Sequence, residues 1–116
     1  MNNYTKYIET ILLDDFGKIA GSKGLETFFI NKEIEIYGRE KRLRSLAARY
    51  LIKKKLLEIA DHKLGYHDIE ILNEKNGKPV ITIKKYYSEK NVHISISHTR
   101  VRATVLVVLE GVASNR

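Results

Sequence analysis

Cysteine is absent from the chain, which excludes a disulfide framework and any thiolate metal site. No apolar run approaches the roughly 20 residues of a membrane-crossing helix, so no membrane partner is expected. The opening residues, Met1-Asn2-Asn3-Tyr4-Thr5-Lys6, have no basic stretch feeding an apolar segment and no small-residue cleavage site. A cytoplasmic location is therefore expected. No G-x-S-x-G, P-loop or G-x-G-x-x-G string occurs, which leaves hydrolase, NTPase and dinucleotide chemistry without support. His62, His67, His93 and His98 lack the short helical spacing of a zinc site. Proline is scarce, with Pro79 alone.

What is present is an ordinary globular composition, 43% hydrophobic and 30% charged over 116 residues. A chain of that length forms one domain, expected over residues 1–116, and buries roughly two thirds of the surface its unfolded form exposes. Twenty-one Lys and Arg against fourteen Asp and Glu give a net charge of +7. Such a charge draws anionic partners, among them nucleic acid, polyphosphate cofactors and acidic proteins.

Tyr4 to Leu13, rich in Tyr, Ile and Leu, is expected to form a first strand. Asp14-Asp15 are placed to cap a short helix with Phe16 and Ile19, broken at Gly21 and Gly24. Asn31 is expected to cap a second short helix ending near Gly38. Arg39 to Asp61 contains no Gly or Pro and predicts one long helix. At about 100° per residue, Leu43, Leu46, Ala47, Tyr50 and Leu57 share one face, and Ile52, Leu56 and Ile59 lie nearly opposite. The helix is thus expected to be covered on two sides, by a sheet and by another segment or subunit. Lys54 falls in the middle of the first face with Glu58 one turn on. Two readings are open: an i,i+4 ion pair, or a pocket lined by the ammonium. Ala103 to Leu109 is almost continuously apolar and is expected to be a strand buried on both faces.

Two alternating runs, Asp68-Ile69-Glu70-Ile71-Leu72 and Val80-Ile81-Thr82-Ile83, flank Asn73 to Pro79. Asn76-Gly77 supplies turn chemistry there, and Pro79 can only open a strand or lie on an edge, so a hairpin is predicted. Val92 to Ser97 also alternates, then stops at His98-Thr99. Together these elements predict an α+β domain with helices packed on an antiparallel sheet.

In order and spacing, the DIEI hairpin with GKP at its turn and the strand closing in SISHT resemble the holo-acyl-carrier-protein synthases, small 4'-phosphopantetheinyl transferases. The resemblance runs from about Glu9 to Glu110. It implies the 4'-phosphopantetheinyl transferase-like α+β fold, an antiparallel sheet packed against one long and one or two short helices. It also implies a homotrimer with cofactor sites between subunits. The implied reaction moves 4'-phosphopantetheine from coenzyme A to a serine of an acyl carrier protein, with cation-assisted loss of 3',5'-ADP.

In that family the long helix carries a pattern like R-F-x-x-K-E-x-x-x-K, matched here by Arg49-Tyr50-Leu51-Ile52-Lys53-Lys54-Lys55-Leu56-Leu57-Glu58. Arg49 and Lys53 keep their types, Lys54 stands where the family has a Mg²⁺-holding glutamate, and Glu58 stands where it has a lysine. Glu9 aligns with the family's other metal ligand. The resemblance therefore implies Glu9, Lys53 and Glu58 as catalytic residues, and Arg49, Lys53, Lys54, Gly77, Pro79, Ser97 and His98 as the coenzyme A contacts. Glu9 is the implied Mg²⁺ ligand, opposed by Lys54, whose charge repels the ion and can neutralise phosphate in its place. The family's Gly-rich turn is shortened to Asp61-His62-Lys63-Leu64-Gly65-Tyr66. The docking helix offers Asp15, Lys18 and Lys23, so carrier docking shifts to Arg39, Lys41, Arg42 and Arg44. Two alternatives stay open: a degenerate relative that binds coenzyme A or a carrier protein without transfer, and a basic nucleic-acid module centred on Arg39 to Lys55. The second is disfavoured because its basic residues surround the helix.

Overall fold

The computed structural model describes residues 4–38, 43–60, 63–84 and 91–110. The first strand, β1 (Tyr4–Leu12), runs directly into the helix α1 (Leu13–Lys23). This junction has no side-chain cap; instead the Leu13 N–H donates to the Val101 carbonyl at 2.8 Å. Asp14 and Asp15 lie inside the first turn, where they complement the helix dipole without capping it. Gly21 is accommodated within α1, and only Gly24, at φ 87°, ends it.

The helix α2 spans Asn31–Tyr37, so its cap is Ile30 and not Asn31. The Glu33 carboxylate accepts the Ile30 N–H at 3.0 Å, which satisfies one of the amides that every helix start leaves open. The long helix α3 (Leu43–Ile59) falls within the expected span. The hairpin strands are β2 (Ile69–Asn73) and β3 (Pro79–Ile83), with Pro79 opening β3. At their turn Gly77 has φ 87°, a region open to glycine and costly for most other residues. The last strands are β4 (Val92–His98) and β5 (Arg102–Glu110).

The antiparallel sheet is split in two. One part has the order β1-β5-β4, and the other is the β2-β3 hairpin alone. In the larger sheet Glu9 pairs with Val105 and Ile96 pairs with the same residue from the other side. Glu9, Val105 and Ile96 therefore share the face turned toward α3, and His98 follows Ile96 on that face by alternation.

Helix α3 lies along β5, with β1 on one flank and β4 on the other. Residues 46–53 are all buried, so the middle of α3 is covered by the chain itself, with Leu43 at its start 41% exposed. Ile52 and Leu56 in the second stripe belong to the core and offer no surface to another subunit. Phe16, Phe28, Phe29, Tyr50 and Tyr66 fill the far side of α3, with Phe28 and Tyr50 ring centroids 5.0 Å apart. Each fully buried large apolar side chain contributes about 1.5–3 kcal/mol. On β5 the expectation of two buried faces holds for one. Ala103, Val105, Val107 and Leu109 are buried, while Thr104, Leu106 and Val108 are only partly covered.

Candidate functional site: a cationic cleft and a carboxylate pair

The cleft begins with how β2 is held. One edge of β2 pairs with β3, while at Ile71 the other edge is satisfied by charged side chains. Glu33 accepts the Ile71 N–H at 2.9 Å, and Arg49 Nε donates to the Ile71 carbonyl at 2.8 Å. Glu33 also takes a short bond from Lys53 Nζ, which donates in addition to the Phe28 carbonyl at 2.9 Å. Glu33 and Lys53 are fully buried. Burial pushes the Lys53 ammonium below its ordinary pKa, against the opposing pull of Glu33.

Arg49 extends from this knot to the surface of a cleft of about 300 Å³, lined by Ser45, Arg49, Asn73, Gly77, Pro79, Ile94, Ser95, Ile96 and His98. Its guanidinium lies 3.7 Å over the Tyr37 ring and donates to the carbonyls of Ile71 and Ser45 and to Asn73 Oδ1. The Tyr37 hydroxyl accepts the Asn73 N–H at 2.9 Å. These hydrogen bonds of Arg49 all go to neutral acceptors, with Glu33 acting on it only at a distance. Burial lowers the Arg49 pKa, but a guanidinium starts so high that it stays charged. Across the cleft lie the Gly77 turn and the edge of β4, which pairs only with β5 among the described residues. A fixed cation, a glycine turn and a histidine converge there, which is chemistry for an anion.

A second cluster lies on the β1 flank. Lys55 Nζ is 3.3 Å from Glu9 Oε2 and 2.9 Å from Glu58 Oε1, and stands 5.1 Å over the Tyr7 ring. The hydrogen bond to Glu58, followed by that to Glu9, holds the Lys55 ammonium above its ordinary pKa. Lys54 is exposed, on the solvent side of α3, while Lys53 before it and Leu56 and Leu57 after it are buried.

Comparison with known proteins follows the same outline. The holo-[acyl-carrier-protein] synthase of Clostridium tetani is 33% identical over 101 residues, covering 78% of this chain and 80% of the relative. The chain belongs to the holo-acyl-carrier-protein synthase family. A synthase of Anoxybacillus flavithermus is 30% identical over 118 residues, covering 98% of this chain and 85% of its own. The crystal structure of a Bacillus anthracis synthase, in complex with CoA (3',5'-ADP), superposes with a TM-score of 0.74 at 24% identity, over 92% of this chain and 96% of that one. No protein-family model matches the chain.

In this chain the expected contacts Arg49, Gly77, Pro79 and His98 meet in one cleft. Glu9 and Glu58 meet through Lys55. The two groups do not join within one chain. Arg49 and Lys55 are six positions apart on α3, about 9 Å along the axis and far apart around it, and they reach opposite flanks of β5. Position bears on three further expectations. Lys53, expected at the cofactor and in catalysis, is a buried structural cation. Lys54 lines no buried stripe. Ser97 sits across from Thr104, in the row where Thr10 and Thr104 hydroxyls lie 3.2 Å apart, on the far face of the sheet. Gly65 has an ordinary extended backbone, and its N–H is taken by Asp68 at 2.8 Å. His67 binds the Glu26 carbonyl and His93 binds Glu110. His62, Arg39, Lys41 and Arg42 lie outside the described residues.

Sequence reasoning missed Ser45, Asn73, Glu33 and Lys55. Glu33 had a signal, since Asn31-Lys32-Glu33 puts an acid at the third helical position before apolar residues. Lys55 had none, because three consecutive lysines look alike until the helix is placed on the sheet.

Proposed function

We propose that this single domain transfers 4'-phosphopantetheine from coenzyme A to a serine of an acyl carrier protein. The serine oxygen bonds to the phosphorus bearing the pantetheine, the diphosphate bridge breaks, 3',5'-ADP leaves, and the serine proton passes to the Glu9–Glu58 pair. The observation that carries the reading is Arg49: a buried guanidinium, bonded only to neutral groups among the described residues, facing the Gly77 turn and His98 across a cleft. A phosphate of coenzyme A supplies the missing anion, with Pro79 beside it.

Because the cationic cleft and the carboxylate pair lie on opposite flanks, a complete site needs a neighbouring copy to bring one against the other. The outer face of the larger sheet is suited to that contact. Ile8 is 72% exposed there, beside Leu106 and the half-covered Val108, and such apolar surface favours association. A homotrimer is the proposed assembly. The carrier protein's acidic surface is proposed to meet Arg44 and Arg100, which with Leu13 and Leu43 border a shallow apolar hollow. No described helix is long and apolar enough to cross a membrane; a cytoplasmic location is proposed.

The family's Mg²⁺ does not fit the residues present. Lys54 replaces one ligand, the Glu9 carboxylate is engaged by Lys55, and no group of three or more acidic or histidine side chains among the described residues can hold a metal. No step is routed through it. That same clamp favours a second reading, a homologue that binds coenzyme A without transfer. The nucleic-acid footprint is reduced among the described residues, where Arg49 and Lys53 are buried and Lys55 is paired, with Arg44 and Lys54 still exposed.

Incubation of apo carrier proteins with this chain and coenzyme A, followed by mass spectrometry, separates the first two readings. Transfer adds the phosphopantetheine mass; no addition on any carrier leaves the binding reading. In either case Arg49→Met is expected to weaken coenzyme A binding by about tenfold or more, as loss of a charge-assisted contact does.

A further inference from the structure

We infer that Lys55 is the resident cation of the Glu9–Glu58 pair, and that this chain takes up no divalent ion there. The inference rests on the synthase reading only for the expectation that a metal belongs near Glu9. Everything else is local geometry. The ammonium touches one oxygen of each carboxylate, at 3.3 and 2.9 Å, so the two acids stand no further apart than those contacts laid end to end. The Tyr7 ring closes a third side at 5.1 Å, and an aromatic face attracts a cation held over it.

A hard divalent ion entering at Glu9 needs oxygens at about 2.0–2.1 Å and an octahedral shell. Lys55 already stands within bonding reach of both acids, and Lys54 follows on the exposed side of the same helix. Moving Lys55 aside also breaks its connection between α3 and β1. The ammonium therefore does locally what a metal does elsewhere: it holds two carboxylates together. Lys55 is a positioning residue in this sense, and it is covalently part of the chain, so a chelator cannot strip it.

Titration of the full chain with Mn²⁺, read by electron paramagnetic resonance, tests this without coenzyme A or carrier protein. The wild type is expected to leave Mn²⁺ free, whereas Lys55→Gln removes the ammonium from both acids and is expected to bind it at least about tenfold more tightly. Adding Glu9→Gln to Lys55→Gln is expected to abolish the gain. Wild-type binding of Mn²⁺ that disappears in Glu9→Gln overturns the inference, as does a Lys55→Gln chain with native circular dichroism and no gain. Should Lys55→Gln fail to fold, Lys55→Met keeps the stem that packs on Tyr7 and serves as the second variant. Failure of pantetheine transfer leaves this result untouched, so the two propositions stand or fall separately.

Discussion

Glu33 and Lys53 show how much a single buried pair can organise. Glu33 bonds to the start of α2, to Lys53 of α3 and to the main chain of β2, so three elements meet at one carboxylate. Removing either partner leaves the other charge buried, which costs about 3–5 kcal/mol. Glu33→Leu and Lys53→Met are each expected to lose that much in urea unfolding, and the double variant Glu33→Leu with Lys53→Met is expected to lose less than the sum. Additive losses would show that the pair does not act as a unit. The pH dependence has a definite sign. Burial holds the folded Lys53 below its ordinary value of 10.5, so the unfolded chain binds that proton more tightly. Between the lowered value and 10.5, stability gains as pH rises. The stability difference between wild type and Lys53→Met is therefore expected to grow through that alkaline window, and a flat difference counts against the assignment.

The β2–β3 hairpin carries the GKP turn to the cleft, and its geometry is set locally. Gly77 donates to the Glu74 carbonyl at 2.8 Å, Glu74 donates to the Lys78 carbonyl at 2.8 Å, and the Asn76 side chain accepts the Lys78 N–H. A Cβ at Gly77 meets no atom within 4 Å, so any cost of adding one is conformational and not steric. Gly77→Ala is expected to destabilise by about 1–2 kcal/mol, and Gly77→Asn by less, because asparagine tolerates the left-handed region. Thermal unfolding of the two variants checks the order, and a larger loss for Gly77→Asn would contradict it. The same element explains why Pro79 is harmless: it opens β3 on the hairpin, and no ladder amide is missed.

For the whole molecule the decisive feature is that α3 covers only one face of the larger sheet. Ile8, Leu106 and Val108 remain outside, with Leu12 also 39% exposed. Placing a charge in that patch removes the apolar drive for association and desolvates the new carboxylate if contact persists. Ile8→Glu is expected to convert the proposed homotrimer to monomer in sedimentation velocity, with coenzyme A binding weakened because the two half-sites no longer meet. An unchanged mass would exclude this face as the interface.

Alternation and composition determined most of the elements. The hairpin, the strand ending at His98, the long helix and the β-branched final strand were legible because their periods are local properties of the chain. Gly77, Pro79, Arg49 and His98, whose strings keep a family spacing, line one cleft. Local signals misplaced the starts of α1 and α2, since those ends are satisfied by Val101 and by Glu33, which no propensity scale sees. Only the tertiary structure decided which lysine of Lys53-Lys54-Lys55 does what. One is buried against Glu33, one faces solvent and one bridges Glu9 to Glu58. Consecutive helical positions are separated by a turn of about 100°, so identical residues meet different partners, and charge chemistry follows the partner.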